Sequence, residues 1–196
     1  MVLMEQNELY PIFLKVAHLD VLIVGGGNVA LEKLTFLLKS SPNSNVTVVS
    51  IKFIPELIEL AQKHQVKLIE NTYDESFLEG RYMVVATTNK IDVNIQVYKD
   101  CKRKNILVNV ADNPPYCDFY MGGIVTKGNV KIAISTNGKS PTLAKRLRQF
   151  FEEVIPENID DLAENLNVFR KTIKGDFEEK VKILNEFTKG IISDKE

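Results

Sequence analysis

Tryptophan is absent from this chain of 196 residues, and cysteine and histidine occur only twice each. Cys101 and Cys117 do not form a Cys-x-x-Cys pair, so their spacing indicates reduced thiols and a cytoplasmic protein rather than a disulfide framework. His18 and His64 lie far apart, with no cysteine pair near them. The sequence therefore predicts no metal site.

An excess of charge of one sign and long apolar runs are also missing. The 25 Lys and Arg residues nearly balance the 26 Asp and Glu residues, and the net charge of −1 predicts neither a nucleic acid nor a membrane as partner. No apolar stretch approaches the roughly 20 residues that a membrane-spanning helix needs. Met1–Tyr10 contains acidic residues and no apolar core, so we expect no signal peptide, and we expect Ser193–Glu196 to be a frayed end.

Segments with strand character alternate with helical segments in the first part of the chain. We predict strands at Val21–Val24, Asn45–Ser50, Val66–Ile69, Tyr82–Ala86 and Ile106–Val110, and helices after the first strand, over Phe53–His64 and between Thr88 and Lys104. This alternation predicts an α/β fold with a parallel sheet and helices on both of its faces.

The pattern changes beyond the predicted sheet. Asp118–Thr126 and Val130–Ser135 predict a β-hairpin, Pro141–Val154 predicts a helix, and Asp160–Lys189 predicts one or two more. The last segment has an apolar stripe at helical spacing, made of Leu162, Leu166, Phe169, Ile173, Phe177, Val181, Leu184 and Phe187. Because so short a helical segment cannot bury this stripe alone, the stripe must pack on the sheet domain or on a second subunit.

Three consecutive glycines join the first predicted strand to the first helix. Gly25, Gly27 and Ala30 fit the Gly-x-Gly-x-x-Ala turn of a dinucleotide-binding, Rossmann-like fold, with Gly26 inside the turn. Gly25 can adopt the backbone angles of a tight turn, and Gly27 lets the main chain approach a pyrophosphate. The N-terminus of the helix adds free N–H groups and a partial positive charge. The alternative is a tight turn that binds no ligand.

The second predicted strand ends in Ser50-Ile51-Lys52, about 20 residues after the glycines, where such folds ordinarily have an acid for the adenosine ribose. No acid stands there. Either the ribose hydroxyls bind backbone groups and Ser50, or Lys52 meets a 2′-phosphate and the cofactor is NADP. The residues alone leave this choice open.

Two further loops follow strands of the predicted sheet. Thr87 and Thr88 follow the fourth strand and could line the pyrophosphate and the nicotinamide ribose, or Thr88 or Asn89 could cap the next helix. Asp112 follows the fifth strand, where a carboxylate could take a proton while hydride leaves a neighbouring carbon. The alternative for Asp112 is an Asx-turn before the prolines.

A polar loop lies outside the predicted sheet and opens a helix with a basic face. Ser140 suits the N-cap of this helix and Pro141 its first position. Lys139 and the helix N-terminus, with Lys145, Arg146 and Arg148 following, favour a carboxylate or phosphate ligand. The alternative is a well-capped helix whose basic face is solvated.

Taken together, these residues resemble the precorrin-2 dehydrogenases, the siroheme synthases related to a multifunctional bacterial enzyme. The resemblance rests on Tyr10–Leu14 and Val24–Ala30 with Lys33, on Asn109–Pro114 with Cys117–Phe119, and on Ile132–Pro141 with Leu143, Ala144, Leu147 and Arg148. It spans about residues 9 to 155, and the stretch at Ile132–Pro141 is the most specific because dinucleotide-binding folds in general lack it.

The resemblance implies an NAD-dependent oxidation of precorrin-2 to sirohydrochlorin, with Asp112 as the catalytic residue. It places the cofactor at Asn28, Val29, Ile51 and Lys52, and the missing ribose acid is usual in the family, which favours NAD over NADP. The loop formed by Ser135, Thr136, Asn137, Gly138 and Lys139 would face the tetrapyrrole. The carboxylates of the tetrapyrrole make Lys139, Arg146 and Arg148 plausible clamps.

The resemblance also implies a homodimer whose interface includes the hairpin and the first helix after it. We therefore divide the chain into an NAD-binding domain (1–113), a dimerisation region (114–150) and a C-terminal helical region (151–196). Some relatives also insert ferrous iron into the product, apparently with the same aspartate. Thr136 stands where some relatives have a serine that can be phosphorylated.

Two other functions fit parts of the pattern. One is a regulatory module that senses NAD without turnover, and the other is a chelatase whose nucleotide site is vestigial. Assay with precorrin-2 and NAD separates both from a dehydrogenase.

Overall fold

The computed structural model describes residues 7–191, which form two compact units. The first unit contains the residues up to 122 together with 135–141, and the second contains 123–134 and the residues from 142 onward. The expected frayed end at Ser193–Glu196 lies outside the described residues, and so does most of Met1–Tyr10. Within 7–191, no helix is both long enough and apolar enough to cross a membrane.

The first unit is built on a parallel sheet of five strands in the order β3-β2-β1-β4-β5. Its strands are β1 (Asp20–Val24), β2 (Asn45–Ser50), β3 (Lys67–Glu70), β4 (Met83–Ala86) and β5 (Leu107–Val110). Its helices are α1 (Asn28–Ser40), α2 (Pro55–His64) and α3 (Ile91–Arg103). This order confirms the predicted Rossmann-like α/β fold.

Both faces of the sheet are buried, which explains why its strands are nearly continuous apolar runs. One face packs against α1 and α2 through Val21, Ile23, Ala30, Leu34, Val46, Val48, Leu57, Ala61, Met83 and Val85. The opposite face packs against α3 through Leu22, Val24, Val49, Val84, Ala86, Val97, Cys101, Val108 and Val110. Burial raises the pKa of the Cys101 thiol to about 12, so this side chain is an un-ionised part of the core.

Up to residue 191, the second unit contains a β-hairpin, three α-helices and a short 3-10 helix (Lys189–Ile191). The hairpin pairs β6 (Gly123–Lys127) with β7 (Val130–Ile134) in antiparallel register, and the helices are α4 (Pro141–Val154), α5 (Ile159–Thr172) and α6 (Phe177–Thr188). The predicted segment Asp160–Lys189 thus forms two helices. The predicted first hairpin strand began at Asp118, whereas β6 begins at Gly123.

The hairpin turn is held by the first turn of α5. Gly128 has a φ of 54°, which suits a two-residue hairpin turn, and a β-carbon there would collide with the side chain of Asp160. The Asp160 carboxylate accepts hydrogen bonds from the Asn129 main-chain N–H at 2.7 Å and from its side-chain amide at 2.8 Å. Lys127 also pairs with Glu157. Polar contacts therefore fix the hairpin on α5.

The second unit buries little of its apolar surface. Among its described residues, only Val125 and Ile134 are fully buried. The predicted stripe on α5 and α6 stays half-buried or exposed, and Phe177 and Phe187 are each 69% exposed. The apolar side chains of α5 and α6 are therefore exposed to water, which is unfavourable.

Candidate nucleotide site

Four of the predicted loops lie at one edge of the sheet, because the strands are parallel and their carboxyl ends meet there. Across the sheet these loops follow the order of the strands: Ser50–Lys52 after β2, Gly25–Gly27 after β1, Thr87–Thr88 after β4 and Asp112 after β5. The chain passes from β1 to β2 on one side and from β4 to β5 on the other. The crevice at this reversal of strand order is where Rossmann-like sheets bind dinucleotides.

Gly25 and Gly26 are required by the packing of the chain itself. Gly25 has a φ of 125°, and a β-carbon on it would lie 2.5 Å from Oγ1 of Thr87. A β-carbon on Gly26 would collide with the main-chain oxygen of Lys52 and lie 2.9 Å from Cβ of Ser50. These two glycines therefore allow the ends of β1, β2 and β4 to meet.

Gly27 has no such internal reason to be glycine. Its φ of −98° and ψ of −165° are open to any residue, and a β-carbon there would have no atom of the chain within 4 Å. Gly27 is the N-cap of α1, and no side chain caps this helix. The first N–H groups of α1 have no partner within the helix, so a bare main chain with a partial positive charge faces open space. A pyrophosphate fits this arrangement.

The loop after β2 passes over the glycine turn. The main-chain N–H of Ile54 donates to the oxygen of Gly26 at 3.0 Å. The Ser50 hydroxyl donates to the main-chain oxygen of Lys52 at 2.9 Å, which curls the loop back on itself. Ile51 and Lys52 are exposed, and Ile51 keeps 61% of its surface. The predicted cofactor contacts of Ile51 and Lys52 thus lie on an accessible loop beside the turn.

The two threonines after β4 have structural partners. Thr87 is buried, and both its N–H (2.8 Å) and its hydroxyl (2.9 Å) donate to the main-chain oxygen of Val24. The Thr88 hydroxyl donates to Oδ1 of Asn94 at 2.7 Å and accepts from the N–H of Lys90 at 3.2 Å. Thr88 therefore ties the loop after β4 to α3, but it does not cap the helix, whose N-cap is Lys90 and has no side-chain cap bond. Thr87 is also the residue that packs directly against Gly25.

Asp112 follows β5 in an unusual backbone conformation. Its φ is 58°, in the left-handed region that costs a non-glycine residue roughly 1 kcal/mol, although aspartate tolerates it better than most. No hydrogen bond or ion pair engages its carboxylate within residues 7–191. The local side-chain bond comes from Asn113, whose amide donates to the Ala111 oxygen at 3.0 Å. The Asp112 carboxylate is thus available at the β4–β5 side of the crevice.

The segment at Asp118 and Phe119, predicted to begin a hairpin strand, instead binds to β5 after the Asp112 loop. The Asp118 carboxylate accepts from the N–H of Val108 at 3.1 Å and pairs with Lys102 at 2.7 Å, and its own N–H donates to the Val108 oxygen at 2.8 Å. The buried amide of Asn109 donates to the Phe119 oxygen at 2.8 Å. These bonds explain why no strand begins at Asp118. In the sequence, these contacts are indicated by Asn109, a polar residue inside the apolar strand β5.

Cys117 bridges the two sides of the same loop. Its thiol lies 3.2 Å from the oxygen of Val110 and 3.4 Å from that of Asn113, the residues that flank Ala111 and Asp112. Burial raises the pKa of Cys117, which keeps the thiol protonated and able to donate. Cys117 therefore acts as a structural donor in this loop.

The predicted tetrapyrrole loop belongs to the first unit and is closed by its own polar groups. The Thr136 hydroxyl donates to the oxygen of Ser140 at 3.1 Å and accepts from its N–H at 3.3 Å. The N–H of Lys139 donates to the Thr136 oxygen at 3.0 Å, and Oγ of Ser135 accepts from the N–H of Asn137 at 3.2 Å. Asn137 and Gly138 both have positive φ, and a β-carbon on Gly138 would meet open space. Thr136 is thus the centre of a tight loop.

The two predicted arginine clamps lie on α4 in the second unit. Arg148 is bound by both carboxylate oxygens of Glu152 at 2.6 Å, and Arg146 donates to Oε1 of Gln149 at 3.0 Å. Residues two apart on a helix point to different sides. The two arginine side chains therefore leave α4 in different directions, and the predicted substrate contact of each stays a prediction.

Two family models match consecutive parts of the chain. One, described as "Putative NAD(P)-binding", matches residues 12–123 and so contains the sheet and its four loops. The other, described as "Sirohaem biosynthesis protein central", matches residues 127–153, which include β7, the polar loop and most of α4. The nucleotide-binding assignment of the first unit is thus confirmed as NAD(P)-binding.

Relatives and a solved structure agree with these models. A siroheme synthase of Pseudoalteromonas translucida is 42% identical over 167 residues, and one of Psychrobacter sp. is 38% identical over 165. These matches cover 85% and 84% of this chain but 35% and 34% of the relatives, so the chain spans about a third of their length. The structure of SirC, a precorrin-2 dehydrogenase, matches with a TM-score of 0.71 at 26% identity over 95% of this chain and 90% of SirC.

Because Gly26 and Gly27 have different environments, we expect the same substitution to weaken NAD binding at Gly27 and to lower the stability of the fold at Gly26. We expect Gly27→Ala to change the free energy of unfolding by less than about 0.5 kcal/mol and to weaken NAD binding by roughly tenfold or more, because its methyl group occupies the space open to a pyrophosphate. Gly26→Ala should instead lower the free energy of unfolding by about 1–3 kcal/mol through overpacking. Urea unfolding and titration calorimetry measure the two effects. Unaltered NAD binding by Gly27→Ala would contradict the pyrophosphate position.

Proposed function

This chain belongs to the family of precorrin-2 dehydrogenases and siroheme synthases, and we propose that it oxidises precorrin-2 to sirohydrochlorin with NAD. The observation that supports this most directly is Gly27, a glycine that no contact among the described residues requires, at the start of α1, where no side chain caps the helix. An NAD(P)-binding fold supplies an acceptor for the hydride that leaves the substrate.

Gly25, Gly26 and Gly27 would hold the pyrophosphate with the first N–H groups of α1, at Asn28 and Val29. Ile51 and Lys52 would contact the adenosine half, because their loop follows β2. The nicotinamide half would then lie toward β4 and β5, near Thr87. This assignment follows the order of the loops across the sheet.

Asp112 would take the proton that the substrate loses along with the hydride. Its carboxylate has no partner among the described residues, and the Cys117 thiol and the Asp118 bonds fix the backbone around it. A base held in place without a competing cation is suited to accept a proton from a carbon or nitrogen acid.

The substrate would be bound by the loop of Ser135, Thr136, Asn137, Gly138 and Lys139. A tetrapyrrole with many carboxylates needs cationic and N–H donors, and Lys139 directly follows Gly138, where a β-carbon would meet open space. The substrate contacts of Arg146 and Arg148, on α4, stay predictions from the resemblance. Insertion of ferrous iron into the product stays a prediction from the resemblance.

We further propose that two copies associate through the second unit. The support is its apolar surface: Leu143, Phe150 and Val154 of α4 are each at least 50% exposed. Covering such side chains stabilises an association by about 25 cal/mol per Å² of apolar area. Sedimentation should show a dimer, and a monomer at micromolar concentration would contradict this.

The free thiols of Cys101 and Cys117 support a reducing, cytoplasmic location.

Asp112→Asn tests the function and the role of the carboxylate together. We expect the unaltered protein to convert precorrin-2 and NAD to sirohydrochlorin, followed by absorbance, and the variant to lose at least about a hundredfold in kcat, as for loss of a general base. NAD affinity should change less than about twofold, because asparagine keeps the shape of the side chain.

Asp161→Asn, on the exposed first turn of α5, is the control for the same change of charge. NAD binding without turnover in the unaltered protein would favour a sensing module instead of an enzyme. Full activity of Asp112→Asn would remove Asp112 from the mechanism.

A further inference from the structure

The end of β2 offers no carboxylate to the ribose of a dinucleotide, although Rossmann-like sites ordinarily have one there. We propose that Glu70, at the end of the neighbouring strand β3, supplies this carboxylate and makes the site select NAD over NADP. The inference rests on the proposed NAD site and adds the residue that recognises the adenosine ribose.

The register of the sheet places Glu70 beside the position where the acid is missing. Ser50, the last residue of β2, pairs with Glu70, the last residue of β3, in parallel register. Paired residues of parallel strands point to the same face, about 4.8 Å apart. The cores agree, since the preceding pair on this face, Val48 and Leu68, lies with α1 and α2. Glu70 therefore points to the face on which α1 begins.

Ser50 connects Glu70 to the glycine turn. A β-carbon on Gly26 would lie 2.9 Å from Cβ of Ser50, so Ser50 is in direct contact with the turn and Glu70 is one strand further out. The N–H of Asn71 donates to the oxygen of Ser50 at 3.0 Å, which ties the ends of β2 and β3 together. The ribose of a dinucleotide that extends from the turn toward β2 would meet this pair of residues.

The Glu70 side chain is available for such a contact. It is exposed, and no hydrogen bond or ion pair engages it within the described part of the chain. The Ser50 hydroxyl, in contrast, already donates to the Lys52 oxygen. Of these two side chains, only Glu70 therefore has its hydrogen-bonding capacity unused.

A carboxylate distinguishes the two cofactors by charge. It accepts hydrogen bonds from the 2′- and 3′-hydroxyls of the NAD ribose, and it repels the 2′-phosphate of NADP. Lys52 acts in the opposite direction, because its cation would attract that phosphate. The selectivity of the site is therefore the balance between Glu70 and Lys52.

Glu70→Gln removes the charge and keeps the length of the side chain. We expect titration calorimetry to show that the unaltered protein binds NAD more tightly than NADP. The ratio of the Kd for NADP to the Kd for NAD should fall at least tenfold in Glu70→Gln. Lys52→Ala should raise this ratio, because it removes a cation that would attract the 2′-phosphate. Glu79→Gln is the matched control: Glu79 is exposed and precedes β4, so it lies toward the amino-terminal edge of the sheet.

Each outcome bears on the proposal. A lower ratio in Glu70→Gln with an unchanged ratio in Glu79→Gln supports it. An unchanged ratio in Glu70→Gln, or a preference of the unaltered protein for NADP, overturns it while leaving the dehydrogenase function in place. A protein that binds neither nucleotide would overturn the proposed function, and this inference with it.

Discussion

At Gly25 and Gly26 the main chain passes so close to Thr87 and to Ser50 and Lys52 that neither position has room for a β-carbon. This close approach joins the ends of β1, β2 and β4, and the other parts of the candidate site depend on it. The buried hydroxyl of Thr87 fixes the same junction by donating to Val24. With the junction fixed, the open main chain at Gly27 and the start of α1 necessarily face the crevice where the strand order reverses.

The opposite side of the crevice is built differently. Strand β5 lies at the edge of the sheet, and the segment that contains Asp118 and Phe119 binds to it through side chains rather than through a ladder of main-chain bonds. Between β5 and this segment, Asp112 has a left-handed conformation, and its carboxylate has no partner among the described residues. The first unit thus has an open glycine turn at its centre and a carboxylate without a partner among the described residues at its rim. Both depend on buried polar contacts that are satisfied within the chain.

The sequence predicts the sheet well because its signals are local. Buried parallel strands read as apolar runs, and glycines at fixed spacing mark the turn to α1. The start of β6 was predicted too early because Asp118 to Gly122 have strand character, and the bonds that keep Asp118 and Phe119 out of a strand come from Val108 and Asn109, about ten residues back. The roles of Thr88 and Thr136 were also hidden, since each hydroxyl binds a partner that only the folded loop brings close.

The position of the Glu70 carboxylate also could not be predicted from the local sequence. A search for an acid along the sequence ends at Ser50, because the usual spacing assumes that the acid belongs to β2. Register across the sheet, which no local pattern gives, brings Glu70 beside that position. The surroundings of Arg146 and Arg148 are likewise not evident from the sequence: helical geometry turns the two side chains to different sides, and Glu152 binds Arg148.

The central claim is that NAD lies along the carboxyl edge of the sheet, from β2 across the glycine turn to Asp112. A crystal structure of the protein with NAD tests it most directly. We predict pyrophosphate oxygens within hydrogen-bond distance of the main-chain N–H groups of Asn28 and Val29, the adenosine ribose beside β2 and β3, and the nicotinamide ring on the side of β4 and β5. A dinucleotide bound in the reverse direction, or away from Gly27, would contradict the account.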